Sequence, residues 1–325
     1  FKVVYACKTL DGGENSSLAG KVSYALSMLK QMYHLSTSKA CILDSYNPVI
    51  SVLKHKKSRI VIQIWHTVGK LKEFGWQIVG RQEGTSPQIA NVMKMHKNYD
   101  VIYYAGEGYK EVFKEGFRAE DCVFRKFTLP RIDLLFDKDY IENTRRRILE
   151  KYPQLNEKPN VLYAPTFRKD ENLFERYFNE LLAAFDFEKY NLIVMLHPLT
   201  KISVNDQRIT VARDFSTFQM MTCADKMISD YSCIIYEAGL KGIPLYFYCY
   251  DLDKYENNRG LTISYEELPG FKSKNAKELV DSLDKPYDFE ALREFIDCCV
   301  ENKTDCTKKM AKDIVDMCSD IKEIR

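Results

Sequence analysis

Short apolar runs alternate with helix-period segments along most of the chain. Residues 2–6 (KVVYA) are the first such run, and a buried strand is predicted there. From Leu18 the apolar positions Val22, Ala25, Leu29 and Met32 keep helical spacing, and the polar stretch Asn15-Ser16-Ser17 precedes them as a cap. The runs 41–43 (CIL), 60–64 (IVIQI), 100–105 (DVIYYA) and 122–127 (CVFRKF) are apolar or β-branched and bounded by polar residues, which predicts strands. Each is separated from the next by enough chain for a crossover helix. That alternation predicts a parallel sheet with helices on both faces.

A charged stretch with two prolines, 145–160 (RRRILEKYPQLNEKPN), breaks the pattern and predicts a helix running into a linker. The alternation then restarts. Strands are predicted at 161–165, 192–196, 226–229 and 244–248, with an amphipathic helix over 173–186 and another starting near Ser232. From about Ala276 onward the spacing is helical. The expected fold class is therefore α/β, with two Rossmann-like domains and a cleft between them. The expected boundaries are 1–145 and 146–325. Ligands of such sheets bind outside the carboxyl ends of the strands.

Composition refines this picture. The 325 residues suffice for two domains, and 45% are hydrophobic, enough for ordinary cores. Residues 1–150 carry 24 Lys+Arg against 16 Asp+Glu, whereas 151–325 carry 24 against 30. The first half is thus +8 and the second −6, and a basic first half suits an anionic surface or a pyrophosphate, although such asymmetry is also common without function. Ten cysteines lack C-x-x-C or zinc spacing and are expected to be buried free thiols in a reducing cytosol. No apolar run reaches 18 residues, so a soluble or peripheral protein is expected. The chain opens at Phe1 directly in an apolar run, and a short preceding piece is expected.

The strand ends carry the chemistry. After 60–64 comes Trp65-His66-Thr67-Val68-Gly69-Lys70, and after 192–196 comes His197-Pro198. A single histidine at a strand end is more often structural. Two of only five, at matching strand ends facing one cleft, point to proton transfer near neutral pH. His34, His55 and His96 lack such placement. Thr166 and Arg168 follow the strand at 161–165, and Asp230, Tyr231 and Ser232 follow that at 226–229. Ser232 at a helix start is an ordinary N-cap, but beside an arginine and a histidine the same end suits a phosphate. Glu237 is placed to accept ribose hydroxyls, and Arg259-Gly260 is a second candidate phosphate clamp. There is no G-x-G-x-x-G, no Walker loop and no clustered Asp/Glu, so no cofactor and no metal are expected. Residues 70–81 interleave Lys70, Lys72 and Arg81 with Phe74 and Trp76. They predict either a basic, aromatic surface for lipid headgroups or a solvated helix face plus core packing.

Four blocks in order, 62–75 (IQIWHTVGKLKEFG), 163–168 (YAPTFR), 196–198 (LHP) and 228–260, resemble the CDP-glycerol glycerophosphotransferases of teichoic-acid synthesis over nearly the whole chain. The resemblance implies a GT-B-like fold, a second domain that binds the CDP donor and a first domain that faces the membrane and the acceptor. It implies transfer of glycerol-phosphate from CDP-glycerol to a hydroxyl of a membrane lipid-linked acceptor, a disaccharide or a growing teichoic-acid chain, with release of CMP. The expected location is the cytoplasmic face of the bacterial membrane, peripherally bound to an anionic surface, without nucleic acid as a partner. Carried over by motif, His66 and His197 are the two active-site histidines, and Arg168, Ser232 and Arg259 contact the donor phosphates. The W-H-T-V-G sequence departs from the W-H-G-T-P of polymerising members and looks more like the smaller priming enzymes. Tyr-Glu-Ala at 236–238 stands where the family has an Asp. A CDP-ribitol donor, a GT-B glycosyltransferase or epimerase, and a non-catalytic membrane-docking nucleotide-binding module are the alternatives.

Overall fold

A computed structural model describes residues 2–7, 17–202 and 204–319. The first half runs α1 (Leu18–Thr37), β1 (Ala40–Leu43), α2 (Pro48–Val52), β2 (Ile60–Gln63), α3 (Pro87–Val92), β3 (Val101–Tyr104), α4 (Lys110–Phe117), β4 (Val123–Lys126), α5 (Ile132–Phe136) and α6 (Lys138–Lys151). The second runs β5 (Asn160–Ala164), α7 (Glu171–Ala184), β6 (Asn191–Val194), β7 (Ile209–Val211), α8 (Thr217–Met220), β8 (Lys226–Ser229), α9 (Ile234–Leu240), β9 (Leu245–Tyr248), α10 (Leu252–Asn258) and β10 (Phe271–Ser273). Three helices follow: α11 (Ala276–Ser282), α12 (Phe289–Cys299) and α13 (Cys306–Ser319).

The strands form two all-parallel sheets, ordered β1-β2-β3-β4 and β10-β9-β8-β5-β6-β7. Counted within its half, the second order is 3-2-1-4-5-6, the doubly wound dinucleotide-fold arrangement. Its direction reverses between β5 and β8, and that switch point is where the crevice opens. The fold is thus the expected α/β arrangement of two Rossmann-like units.

The first sheet progresses in one direction only. Right-handed crossovers then place its connecting helices on one face, which leaves the other bare. Alternation along the strands shows the result. Val61 and Ile102 face the main core, while Ile60, Ile62, Val101 and Tyr103 face the opposite side and pack on Met310 and Met317 of α13. Asp313 fastens that helix by accepting from Tyr103 Oη at 2.6 Å and pairing with Arg125. The final helix, expected to belong with the second domain, therefore covers the first sheet.

Of the ten cysteines expected to be buried, Cys7 and Cys298 are exposed. One further expectation changes. Residues 2–7 form no strand; Val3, Val4 and Tyr5 are exposed, and β1 stands at the sheet edge with no neighbour beyond it among the described residues. Ser17 caps α1 by accepting from Gly20 N at 3.1 Å, whereas Asn15 and Ser16 lie outside the described residues. Strands β7 and β10, at the two edges of the second sheet, are three residues each and too short to stand out in the pattern.

Candidate active site

β2 is buried throughout, and the chain leaves it through Trp65 in a left-handed conformation, φ 56°. A bulky residue with positive φ is strained, at a cost of about 1–3 kcal/mol, and survives only where its surroundings enforce it. Here Trp65 N donates to Gln63 Oε1 at 2.9 Å, and the indole is clamped between Phe74 and Phe117. The turn throws His66 outward, where it is exposed, with Nδ1 2.8 Å from the carbonyl oxygen of Asp44. A carbonyl only accepts, so Nδ1 carries the proton and Nε2 presents its lone pair. The surrounding protein lowers the pKa of His66 by desolvation, and the charges of Lys70 and Arg131 act the same way against the Asp44 hydrogen bond.

His197 follows β6 and is likewise exposed. Its Nδ1 accepts from Leu199 N at 3.2 Å, so Nε2 carries the hydrogen. Phe167 packs on the ring at 5.3 Å. Desolvation and then the charge of Lys72 lower its pKa. The two imidazoles thus hold opposite tautomers: His66 offers an acceptor at Nε2 and His197 a donor.

At the switch point, Thr166 N donates to both oxygens of Asp230, at 2.9 and 3.0 Å, while the buried Thr166 Oγ1 finds no protein partner. Arg168 is buried. It donates to Asp251 through Nε at 2.6 Å and Nη2 at 3.0 Å, and to Asp230 through Nη2 at 2.9 Å. The rings of Tyr231, Tyr250 and Tyr255 surround its guanidinium. Two carboxylates already neutralise it, so Arg168 ties three strand-end loops together instead of serving as a free phosphate clamp. Ser232 does not cap the following helix; α9 begins at Ile234 with Cys233 as N-cap and without a side-chain cap.

Glu237 is fully buried and paired with Arg131 of the first half. Its carboxylate lies at the junction between the halves, with Oε2 buried and without a protein partner among the described residues. Arg259 retains a cleft position: Nη1 meets Glu83 at 3.3 Å, and its buried Nε is unpartnered.

Of the two readings of segment 70–81, the structure agrees with core packing and not with an exposed surface. Lys70 is 5% exposed, with Nζ 4.5 Å from the Phe74 ring centroid. Lys72 is half-buried, and its charge is felt by His197, Asp230 and Arg168 across the cleft. Trp76 is half-buried, donates to the Met95 carbonyl at 2.9 Å and is covered by Arg118. An alternating Lys-Leu-Lys with Leu71 fully buried turns both lysines toward the cleft.

Sequence reasoning missed Asp44, Glu83, Arg131 and Asp251. Asp251 had a signal, since it follows β9 as Asp230 follows β8. The other three act through tertiary contacts that no local pattern announces. A cavity of about 340 Å³ opens beside Arg168, lined by Gln82 and Glu83 of the first half and by Asp170, Asp251, Tyr255 and Asn258 of the second. Among the described residues no group of three or more His, Cys, Asp or Glu is placed to hold a metal ion.

The family model for CDP-glycerol:poly(glycerophosphate) glycerophosphotransferase matches residues 1–304. A teichoic acid ribitol-phosphate primase of Bacillus spizizenii is 28% identical over 289 residues, 86% of this chain and 74% of the relative. A teichoic acid glycerol-phosphate primase of Bacillus subtilis is 30% identical over 278 residues, 83% of this chain and 71% of the relative. By contrast, the chain spans 45% of a poly(ribitol-phosphate) polymerase of Bacillus spizizenii. Among solved structures, the wall teichoic acid polymerase TagF superposes with TM-score 0.66 at 21% identity, covering 94% of this chain and 76% of that one. A UDP-GlcNAc 2-epimerase from Neisseria meningitidis superposes with TM-score 0.56 at 13% identity, covering 94% and 84%. These superpositions establish the GT-B-like architecture. The match across both sheets and both histidine-bearing loops places the chain in the CDP-glycerol:poly(glycerophosphate) glycerophosphotransferase family, the transferases of teichoic-acid synthesis.

Proposed function

We propose that the chain transfers glycerol-phosphate from CDP-glycerol to a hydroxyl of a lipid-linked acceptor and releases CMP. The observation that carries this is the lone pair of His66 Nε2, fixed by the Asp44 carbonyl and presented in the cleft. The acceptor hydroxyl gives its proton to that nitrogen. Its oxygen bonds to the phosphorus that bears the glycerol, and the bond from that phosphorus to the bridging oxygen breaks. The bridging oxygen leaves with CMP. His197 Nε2–H donates to the phosphate oxygens where negative charge builds up. Positioning and charge neutralisation supply most of the catalysis in such transfers, and a general base adds about 10²–10⁴-fold.

On this reading the second half holds the donor, its nucleotide in the cavity beside Arg168 and Tyr255, and the first half presents the acceptor. The first half also meets the membrane. No helix among the described residues is long and apolar enough to cross a bilayer. However, α1 exposes Leu18, Val22, Leu26, Leu29 and Tyr33 as one stripe. Residues 18–59 hold seven Lys and Arg against a single acidic residue, Asp44. An apolar stripe within a cationic segment matches an anionic lipid surface.

The test is product analysis by mass spectrometry, with CDP-glycerol and CDP-ribitol offered against a lipid-linked disaccharide analogue. A polyol-phosphate adduct with stoichiometric CMP is expected. Turnover of UDP-sugars without CDP-polyol turnover overturns the proposal.

A further inference from the structure

The loop after β2 does not stay with its own half. Lys72 forms an antiparallel bridge with Leu261. Glu73 N donates to Gly260 O at 3.1 Å and Thr262 N to Leu71 O at 3.0 Å. Thr262 Oγ1 donates to Lys70 O. This short two-chain ribbon stitches residues 70–73 to the loop that begins at Arg259. It brings three cations together, and the charges of Lys72 and Arg259 both bear on Lys70.

Among the described residues no carboxylate pairs with either lysine, and Asp230 acts on Lys72 only at longer range. Neither ammonium has a hydrogen-bond or ion-pair partner among the described residues. The nearby carboxylates are engaged elsewhere, Asp230 by Arg168 and Glu83 by Arg259. The faces of Phe74 and Trp65 offset part of the burial cost of Lys70, and Lys72 lacks even that. Burying a charge without a partner is costly, and an anionic ligand that pairs with it offsets that cost.

We propose that Lys70 and Lys72 form a diphosphate-binding pair supplied by the first half, with Lys70 beside His66 and Lys72 beside His197. The pair rests on the donor reading above and adds to it that the donor's phosphates are gripped by both halves at once. Arg259 approaches from the second half, so the site is complete only where the ribbon is formed.

The experiment is calorimetry with inorganic pyrophosphate and CDP on the full chain, its Lys70→Met and Lys72→Met variants, and a Lys72→Arg control. A charge-assisted phosphate contact is worth about 1.5–3 kcal/mol, which is about ten-fold or more in affinity. Each Met variant is expected to lose at least that for both ligands, and Lys72→Arg to recover most of it. Unchanged affinity for both ligands in Lys72→Met, with an unchanged melting transition, overturns the pair. Lysine-dependent pyrophosphate binding in a chain that binds neither CDP-glycerol nor CDP-ribitol keeps the pair and removes the donor reading.

Discussion

The Nδ1 of His66 lies 2.8 Å from the carbonyl oxygen of Asp44, a residue that directly follows the edge strand β1. One main-chain acceptor thereby sets which nitrogen of the ring is basic. His66→Ala is expected to lower kcat by about 10²–10⁴-fold. CDP affinity by calorimetry should stay near the wild-type value, because in the proposed mechanism the ring serves the acceptor. Loss of CDP binding in this variant would remove His66 from the acceptor side.

The pH profile gives a second readout of the same ring. Its pKa lies below the ordinary 6.5, through desolvation first and then the charges of Lys70 and Arg131. The base is active when deprotonated, so kcat/KM should rise along an acidic limb centred below pH 6.5 and then level. Lys70→Met removes one of the depressing charges and should move that limb upward. A limb that stays fixed in the variant would show that Lys70 does not act on His66.

Arg131 and Glu237 join the two halves through a carboxylate with no exposure at all. Burial raises the pKa of Glu237 above the ordinary carboxylate value, against the lowering effect of Arg131. In Arg131→Met that opposing charge is lost. Below pH 4.5 the carboxyl is protonated folded or unfolded, and the variant should be close to wild type. As pH rises from there, the unfolded chain ionises while the native carboxyl resists, so folding weakens up to the raised native pKa. Urea midpoints at pH 4 and pH 8 should therefore diverge between variant and wild type. Parallel midpoints would mean that the pair contributes no pH-dependent stability.

Arg168 sits on two buried aspartates and under three tyrosines. Arg168→Ala leaves Asp230 and Asp251 uncompensated, and removing one partner of a buried pair costs roughly 3–5 kcal/mol. A lower melting temperature is expected before any effect on phosphate binding. Normal stability with weakened CDP binding would restore the role of direct phosphate clamp.

The exposed stripe of α1 offers a test of surface attachment. Leu26→Asp with Leu29→Asp should weaken sedimentation with anionic vesicles several-fold. Activity on a short, water-soluble acceptor should be retained, because α1 lies outside the cleft residues described above. Unchanged sedimentation would place the lipid contact elsewhere.

Much of the fold was legible because the central strands β2, β3, β5 and β9 are mostly apolar runs buried on both faces. The strand ends were legible for the same reason, and they located His66, His197, Thr166 and Asp230. What the residues do there was less legible. Arg168 reads as a phosphate ligand until Asp251 appears beside it, and nothing near Glu237 announces Arg131; both partners are distant in sequence. Lys70 and Lys72 read equally as surface or as packed residues, because their alternation about Leu71 has meaning only once Leu71 is buried. The exposed 2–7 segment shows the opposite failure, an apolar run with no strand beside it to pair with.

Because Met310 and Met317 close the bare side of the first sheet, the first half depends on residues some 200 positions downstream of its strands. On the ribosome, Ile60, Ile62, Val101 and Tyr103 emerge long before the helix that shelters them. The first sheet therefore waits, unfinished, while the second is made, and the nascent chain carries an uncovered apolar sheet face over that interval. Assembly of the two halves is in this sense interlocked: α13, made after the second sheet, completes the first.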